Sequence, residues 1–114
     1  MIGSITREEI QQRLDRHEAL TIVEALPARY YDAEHLPGAI NLPHTEVRDR
    51  AESVLTDKSA FIVVYCSNTA CQNSTIASQL LIQLGYSNVH EYVEGKQDWI
   101  EAGLPVESGT EVAA

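Results

Sequence analysis

The sequence is poor in cysteine, in basic residues and in long apolar runs. Two cysteines in 114 residues are too few for the disulfide framework that stabilises many small secreted domains. Eight Lys and Arg stand against 17 Asp and Glu, for a formal net charge of −9. A surface of that sign repels phosphate backbones and anionic lipid headgroups. We therefore expect neither a nucleic acid nor a membrane as a partner.

No segment predicts a membrane-spanning helix or a secretory signal. The longest apolar run, from Ala60 to Cys66, has seven residues, whereas a spanning helix needs roughly 20. The first nine residues lack an apolar stretch behind a basic start, which a signal peptide requires. These features predict a soluble protein, and we expect it to be cytoplasmic.

The rest of the composition is typical of one folded domain. Hydrophobic residues make up 44% of the chain and charged residues 22%, close to the averages for globular proteins. The length suits a single hydrophobic core, and no internal repeat or low-complexity linker divides it. We predict one domain over residues 1–107 and a flexible C-terminal tail over residues 108–114.

The hydrophobic pattern alternates between strands and helices. Phe61–Tyr65 is apolar on both faces, as expected for a central parallel strand covered by helices. Residues 76–84 repeat at helical spacing and end at Gly85, which predicts a helix, and the segment TREE at 6–9 predicts a capped helix start. Further strands are predicted at 19–23, within 39–43 and at 88–93, and further helices after Pro27, at 46–55 and at 96–102. This alternation predicts an α/β fold with a parallel sheet.

Cys66 is the first residue after the predicted central strand. In open parallel sheets, chemistry occurs beyond the carboxyl ends of the strands. A helix N-terminus facing the following loop would stabilise a thiolate and lower the pKa of Cys66 below its usual value of about 8.5. We therefore predict that Cys66 is a nucleophile, unless it is only a small buried hydrophobe. The predicted substrate-binding loop consists of Ser67, Asn68, Thr69, Ala70, Gln72, Asn73 and Ser74.

Cys71, in the same loop, admits three interpretations. It resolves an oxidised or persulfidated Cys66 by forming a disulfide, it carries a second sulfur, or it fills the loop as a small apolar residue. A zinc site would need four ligands, and the next histidine along the chain, His90, lies in a predicted strand. We expect no metal and no cofactor.

Three separated motifs resemble the rhodanese-like family of single-domain sulfurtransferases. The segment EHLPGAINLP at 34–43 resembles the family's G-H-I-P-G-A signature, and Cys66 with its flanking strand and helix resembles the active-site region. VEG at 93–95, with Trp99 and GLPV at 103–106, resembles the C-terminal pattern. The resemblance extends over about residues 5–107. It implies a three-layer α/β sandwich with a mostly parallel five-stranded sheet between helices.

The resemblance also implies an activity. Cys66 would accept a sulfane sulfur as a persulfide and pass it to a thiol or another nucleophilic acceptor. The partners would be a small sulfur donor or a protein persulfide, and a thiol acceptor. Two alternatives remain open: a thiol redox protein that uses Cys66 and Cys71, and a non-catalytic regulatory domain with the same fold.

The loop departs from the family pattern because it lacks arginine. The family usually has Arg five residues after the cysteine, where this chain has Cys71, and no arginine follows Arg50. Glu24-Ala25-Leu26 stands where the family often has Asp-x-Arg. Since an arginine fork is what clamps tetrahedral oxyanions, phosphatase chemistry is not expected. We expect the backbone N–H groups of residues 67–73 to bind the sulfur, and a polysulfide or protein persulfide to be preferred over thiosulfate.

Overall fold

The computed structural model describes residues 2–109. Its strands are β1 (Gly3–Ser4), β2 (Thr21–Glu24), β3 (Ile40–Asn41), β4 (Ile62–Tyr65) and β5 (Val89–Tyr92). Its helices are α1 (Arg7–Asp15), α2 (Ala28–Ala33), α3 (Val47–Val54), α4 (Asn73–Gln83) and α5 (Gly95–Glu101), and a short 3-10 turn at His44–Glu46 leads into α3.

The five strands form one parallel sheet in the order β1-β5-β4-β2-β3. The predicted α/β fold with a five-stranded sheet is thereby confirmed. Strand β1 had no signal of its own, since two residues cannot display an alternating pattern. It exists because Gly3 pairs with His90, and a Cβ on Gly3 would lie 2.5 Å from the His90 ring.

Helices cover both faces of the sheet, and β4 contributes to both cores. Ile62 and Val64 pack in the cluster that contains residues of α3 and α4. Val63 and Tyr65 pack in the opposite cluster, which contains Trp99 of α5. All four strand residues are fully buried. This burial confirms the prediction of a central strand and brings the residue after it to the middle of the carboxyl edge of the sheet.

The predicted element boundaries differ from the observed ones at several ends. The capping box is confirmed, because Thr6 and Glu9 exchange side-chain to backbone hydrogen bonds. Helix α1 ends at Asp15, two residues before His17, whose φ of 55° a helix cannot continue. Helix α4 begins at Asn73, ahead of the predicted start at 76, because its first turn is polar and carries no apolar signal.

The C-terminal segment packs back against the region around α2. His35 and Glu107 form an antiparallel bridge, and the N–H of Gly109 donates to the carbonyl of Asp32 at 2.8 Å. Most of the predicted flexible tail, residues 110–114, lies outside the described residues. Among residues 2–109, no helix has the length and apolar character to cross a bilayer.

Candidate active site

The Cys66 side chain lies beneath its own loop at the end of β4. Cys66 is only 1% exposed to solvent. The Sγ atom is 3.3 Å from Ser74 Oγ and 3.5 Å from the carbonyl oxygen of Cys71, and either oxygen can accept the single thiol proton. A donor molecule therefore reaches the sulfur only when the loop moves.

The prediction that the pKa of Cys66 is lowered is wrong for this conformation. Burial, the largest influence, and the neighbouring Cys71 side chain together raise the pKa of the Cys66 thiol to about 11. The backbone N–H of Ser74, in the first turn of α4, acts in the expected direction and lowers it, as does the Ser74 hydroxyl when it donates to the sulfur instead of to Glu91. Loss of hydration outweighs these two hydrogen bonds, so Cys66 rests as a neutral thiol at pH 7.

The loop is stabilised by a turn at Asn68. The Asn68 side-chain oxygen accepts from the N–H of Ala70 at 3.0 Å, and its carbonyl accepts from the N–H of Cys71 at 3.1 Å. Two of the backbone donors expected to bind the transferred sulfur are thus engaged within the loop. Around the turn, Thr69, Ala70 and Gln72 are exposed, whereas Ser67 and Asn73 are half-buried.

The first turn of helix α5 forms hydrogen bonds with the start of the loop. The N–H groups of Lys96 and Gln97 donate to the carbonyls of Cys66 and Ser67, each at 2.8 Å. Gly95 makes this close approach possible, because a Cβ there would lie 2.7 Å from the Cys66 carbonyl oxygen and its φ is +73°. The carbonyl side of the loop is therefore fixed by the first turn of α5.

Glu24 and Lys96 form a buried ion pair next to the contact between α5 and the loop. Glu24, at the end of β2, is fully buried and accepts from the Tyr65 hydroxyl at 2.7 Å. Both of its carboxylate oxygens are 3.1 Å from Lys96 Nζ, which also donates to the carbonyls of Tyr30 and Glu34. Burial raises the pKa of Glu24, and the hydrogen bonds from Tyr65 and Lys96 oppose that shift.

Lys96 is therefore not an anion-binding residue of the loop. Its ammonium donates to four oxygens on the face of the sheet that carries α5. No role for Lys96 was predicted from the sequence. The signal for its role is Glu24 itself, because a carboxylate at the end of a buried strand needs a cationic partner.

A second carboxylate near the thiol, Glu91 on β5, was missed by the sequence analysis. Its Oε2 accepts from the hydroxyls of Ser74 and Thr75, each at 2.7 Å. Ser74 Oγ therefore contacts both the Cys66 sulfur and a carboxylate. In the sequence, Glu91 occupies an ordinary polar position of an alternating strand, and nothing marks its distance to Cys66.

An open groove of about 290 Å³ adjoins the loop. It is lined by Ser67 and Asn68 from the loop and by Lys96, Gln97, Ile100 and Glu101 of α5. Within residues 2–109, no group of three or more His, Cys, Asp or Glu side chains is arranged to hold a metal ion.

The chain matches the family model of the rhodanese-like domain over residues 6–102. It is 36% identical over 109 residues to the HTH-type transcriptional regulator Rv0324 of Mycobacterium tuberculosis, a match that covers 96% of this chain and 46% of the relative. It is 39% identical over 59 residues to the thiosulfate sulfurtransferase PspE of Escherichia coli, covering 52% of this chain and 55% of PspE. The chain thus spans about half the length of these curated relatives.

Solved structures show the same architecture. The rhodanese-like domain of the Alr3790 protein from Anabaena superposes with a TM-score of 0.83 at 31% identity, covering 100% of this chain and 86% of that domain. A structure of thiosulfate sulfurtransferase from Pseudomonas aeruginosa superposes with a TM-score of 0.80 at 26% identity, covering 96% of this chain and 21% of that protein. Sulfurtransferases thus occur by name among both the similar sequences and the similar structures.

Proposed function

Because the chain belongs to the rhodanese-like family, we propose that it is a sulfurtransferase that carries a sulfane sulfur on Cys66 as a persulfide and passes it to a thiol acceptor. The observation that carries the proposal is the location of Cys66, at the carboxyl end of the central strand with its thiol bound to Ser74 at the start of α4. This is the edge at which parallel α/β sheets perform chemistry.

The transfer takes two displacement steps. First, the Cys66 thiolate attacks the outer sulfur of the donor, the sulfur–sulfur bond of the donor breaks, and the leaving group departs with the electron pair. Then an acceptor thiolate attacks the outer sulfur of the persulfide, and Cys66 leaves as the thiolate. Splitting the reaction through a covalent intermediate makes each step easier.

The loop lacks the cation that a donor with an oxyanion group would need. The loop between Cys66 and Ser74 contains no Lys or Arg, and the ammonium of Lys96 is bound to Glu24. Glu91 adds a carboxylate close to Ser74. Thiosulfate carries a sulfonate group whose oxyanion an arginine-containing loop would clamp, and this loop offers that group no cation, so we propose a polysulfide or a protein persulfide as the donor.

Intact-mass measurement tests the proposal directly. The wild-type chain is incubated with polysulfide and, separately, with thiosulfate. We expect polysulfide to add the mass of one sulfur atom, thiosulfate to load poorly, and Cys66→Ser to show no gain from either donor. An equal gain in Cys66→Ser would refute Cys66 as the carrier, and fast loading by dilute thiosulfate would refute the donor preference.

A second candidate function, a thiol redox protein, is favoured by the contact between Cys66 and Cys71. The Cys66 sulfur is 3.5 Å from the Cys71 carbonyl, and the Cys71 side chain influences the pKa of Cys66. In this reaction the Cys71 thiolate attacks the inner sulfur of the Cys66 persulfide. A disulfide forms, and hydrosulfide leaves with the electron pair.

The two functions differ in what the loaded protein does without an acceptor. A sulfur carrier keeps the added sulfur, whereas the redox protein releases sulfide and loses the mass of two hydrogens relative to the reduced chain. Cys71→Ser serves as the matched variant, since it removes the attacking thiol. Sulfide release from wild type that stops in Cys71→Ser supports the redox function, and a persulfide that is equally stable in both excludes it.

A further inference from the structure

A thiol with a high pKa creates a difficulty in both halves of the proposed transfer. Burial raises the pKa of Cys66 to about 11, so the nucleophilic thiolate is scarce at neutral pH. The same property makes Cys66 a poor leaving group when the acceptor removes the sulfur, because thiols of low pKa leave faster. The chain therefore needs a group that takes a proton from Cys66 during loading and returns it during discharge.

The hydrogen bonds around the sulfur contain such a route. The Cys66 thiol donates to Ser74 Oγ at 3.3 Å, and the Ser74 hydroxyl donates to Glu91 Oε2 at 2.7 Å. Ser74 is 1% exposed, as is Cys66. In the closed loop both atoms of the first bond are shielded from water, so the acceptors within reach of the Cys66 proton are Ser74 Oγ and the Cys71 carbonyl oxygen, and of these Ser74 leads on to a carboxylate.

We propose that Glu91 exchanges the proton of Cys66 through the Ser74 hydroxyl, as proton acceptor in sulfur loading and proton donor in discharge. This inference rests on the proposed sulfurtransferase function. In it, Ser74 touches the reacting sulfur, and Glu91 acts through Ser74.

The loading step balances within the chain and the donor. The sulfur–hydrogen bond of Cys66 breaks as its proton passes to Ser74 Oγ, and the hydroxyl proton of Ser74 passes to Glu91. The freed electron pair on the Cys66 sulfur attacks the outer sulfur of the persulfide donor, whose inner thiolate leaves and is protonated by solvent. In discharge, the carboxylic acid of Glu91 returns a proton by the same route as the Cys66 thiolate leaves.

The elements packed around Glu91 and Cys66 supply few competing charges. Helix α4 has no charged residue between Asn73 and Gln83, and the neighbouring strand β1 has none. On β5 itself, His90 points to the other face, where its ring stacks on Phe61.

Among the described residues, the other titratable side chain that acts on the pKa of Cys66 is Cys71, and the adjoining helix α5 carries Lys96, Asp98 and Glu101. Cys71 is a second thiol in the loop. Lys96 approaches Cys66 only with its backbone N–H, since its ammonium is bound to Glu24. Glu91 is therefore the carboxylate linked to the sulfur by hydrogen bonds in the described part of the chain.

Alkylation of Cys66 tests this proton route without requiring sulfur transfer. All variants carry Cys71→Ser, so that Cys66 is the single thiol, and iodoacetamide modification is followed by intact mass between pH 5 and 10. We expect Glu91→Gln and Ser74→Ala each to react about tenfold or more slowly than the parent near pH 7, and the double variant to react no more slowly than either alone.

The pH profile separates proton transfer from a structural role. The parent rate should have an acidic limb where Glu91 takes up a proton, and that limb should be absent in Glu91→Gln. Thr75→Val is the matched control, because Thr75 binds the same carboxylate oxygen without contacting the sulfur. Its rate should stay within about twofold of the parent.

A different result would contradict the proton route. If Glu91 acts only through its charge, its neutralisation makes the thiolate easier to form, and Glu91→Gln reacts as fast as the parent or faster. That result overturns the proton route, as does an unchanged acidic limb. Persulfide formation by the wild-type chain with polysulfide is measured alongside, so the proposed function can stand or fall independently of the proton route.

Discussion

Two carboxylates flank the end of β4, one on each face of the sheet, and their surroundings differ. Glu24 is fully buried, and its charge is matched by the ammonium of Lys96 and the hydroxyl of Tyr65. Glu91 is half-buried and is bound by two neutral hydroxyls. The first carboxylate is tied into the buried interior by a cation and a phenol, whereas the second is joined to the Cys66 sulfur through a single hydroxyl.

The pair also shows how this chain departs from an arginine-containing loop. Its cation near the site, Lys96, is on the face opposite α4 and stabilises the support of the loop rather than a bound anion. On the reactive face, the nearby charge is negative and the thiol is neutral. The chemistry that we propose for this face therefore depends on moving protons more than on binding anions.

The largest expected effect is on the buried pair. Lys96→Ala should reduce the free energy of unfolding by about 3–5 kcal/mol, because it leaves the buried carboxylate of Glu24 without its cation. Urea denaturation measures the change. Arg50→Ala is the matched control, since it breaks an exposed pair with Glu46 that should contribute about 0.3–0.5 kcal/mol. Equal losses in the two variants would contradict the structural role of Glu24.

The second-largest loss in the free energy of unfolding is expected on removal of the Tyr65 hydroxyl. Tyr65→Phe removes a donor to Glu24 and an acceptor for the N–H of Leu36, both in the buried interior. Leaving these groups without a partner should cost about 1–3 kcal/mol by the same urea measurement. Tyr30→Phe, at an exposed position, should change stability little. An unchanged free energy of unfolding in Tyr65→Phe would show that water replaces the lost hydrogen bond to Glu24.

The pH dependence of stability tests whether burial raises the pKa of Cys66. A thiol whose pKa is raised to about 11 by burial stays protonated in the folded chain while an unfolded chain has begun to ionise. The contribution of Cys66 to the free energy of unfolding should therefore be fully present below about pH 8.5 and be lost as the pH rises toward 11. Thiolate absorbance in Cys71→Ser follows the titration, and an ionised Cys66 at pH 7 would disprove the burial effect.

The smallest expected change in stability belongs to Glu91. Glu91→Gln keeps an oxygen that can accept from Ser74 and Thr75, so the free energy of unfolding should change by less than about 1 kcal/mol. Urea denaturation of this variant, compared with Lys96→Ala, completes the contrast between the two carboxylates. A loss as large as that of Lys96→Ala would mean that Glu91 also holds the fold together.

Much of the fold was predictable because local patterns and burial agree. The doubly apolar strand at Phe61–Tyr65 could only be central, and the capping box before α1 satisfies the orphan donors of that helix within four residues. Strand β1 and the polar first turn of α4 were not predictable in the same way. The first depends on pairing with a strand far along the chain, and the second lacks apolar residues.

The candidate site was predictable in part. The position of Cys66 after the central strand follows from strand order and chain direction, so sequence reasoning could identify it. The pKa of Cys66 could not be predicted, because it depends on how completely the loop excludes water. Glu91 and Lys96 lie 25 and 30 positions further along the chain, and local spacing does not report which of them faces the thiol.

The sequence alone determined the α/β class, the acidic charge, the loop without arginine and the cysteine at the strand end. These properties depend on composition and on neighbours in the chain. Only the tertiary structure decided that Glu24 has a buried cation, that Glu91 has hydroxyls, and that Cys66 rests as a neutral thiol. The physical reason is that desolvation and charge pairing depend on distances between β2, β4, β5 and the helices, which are set when the sheet assembles.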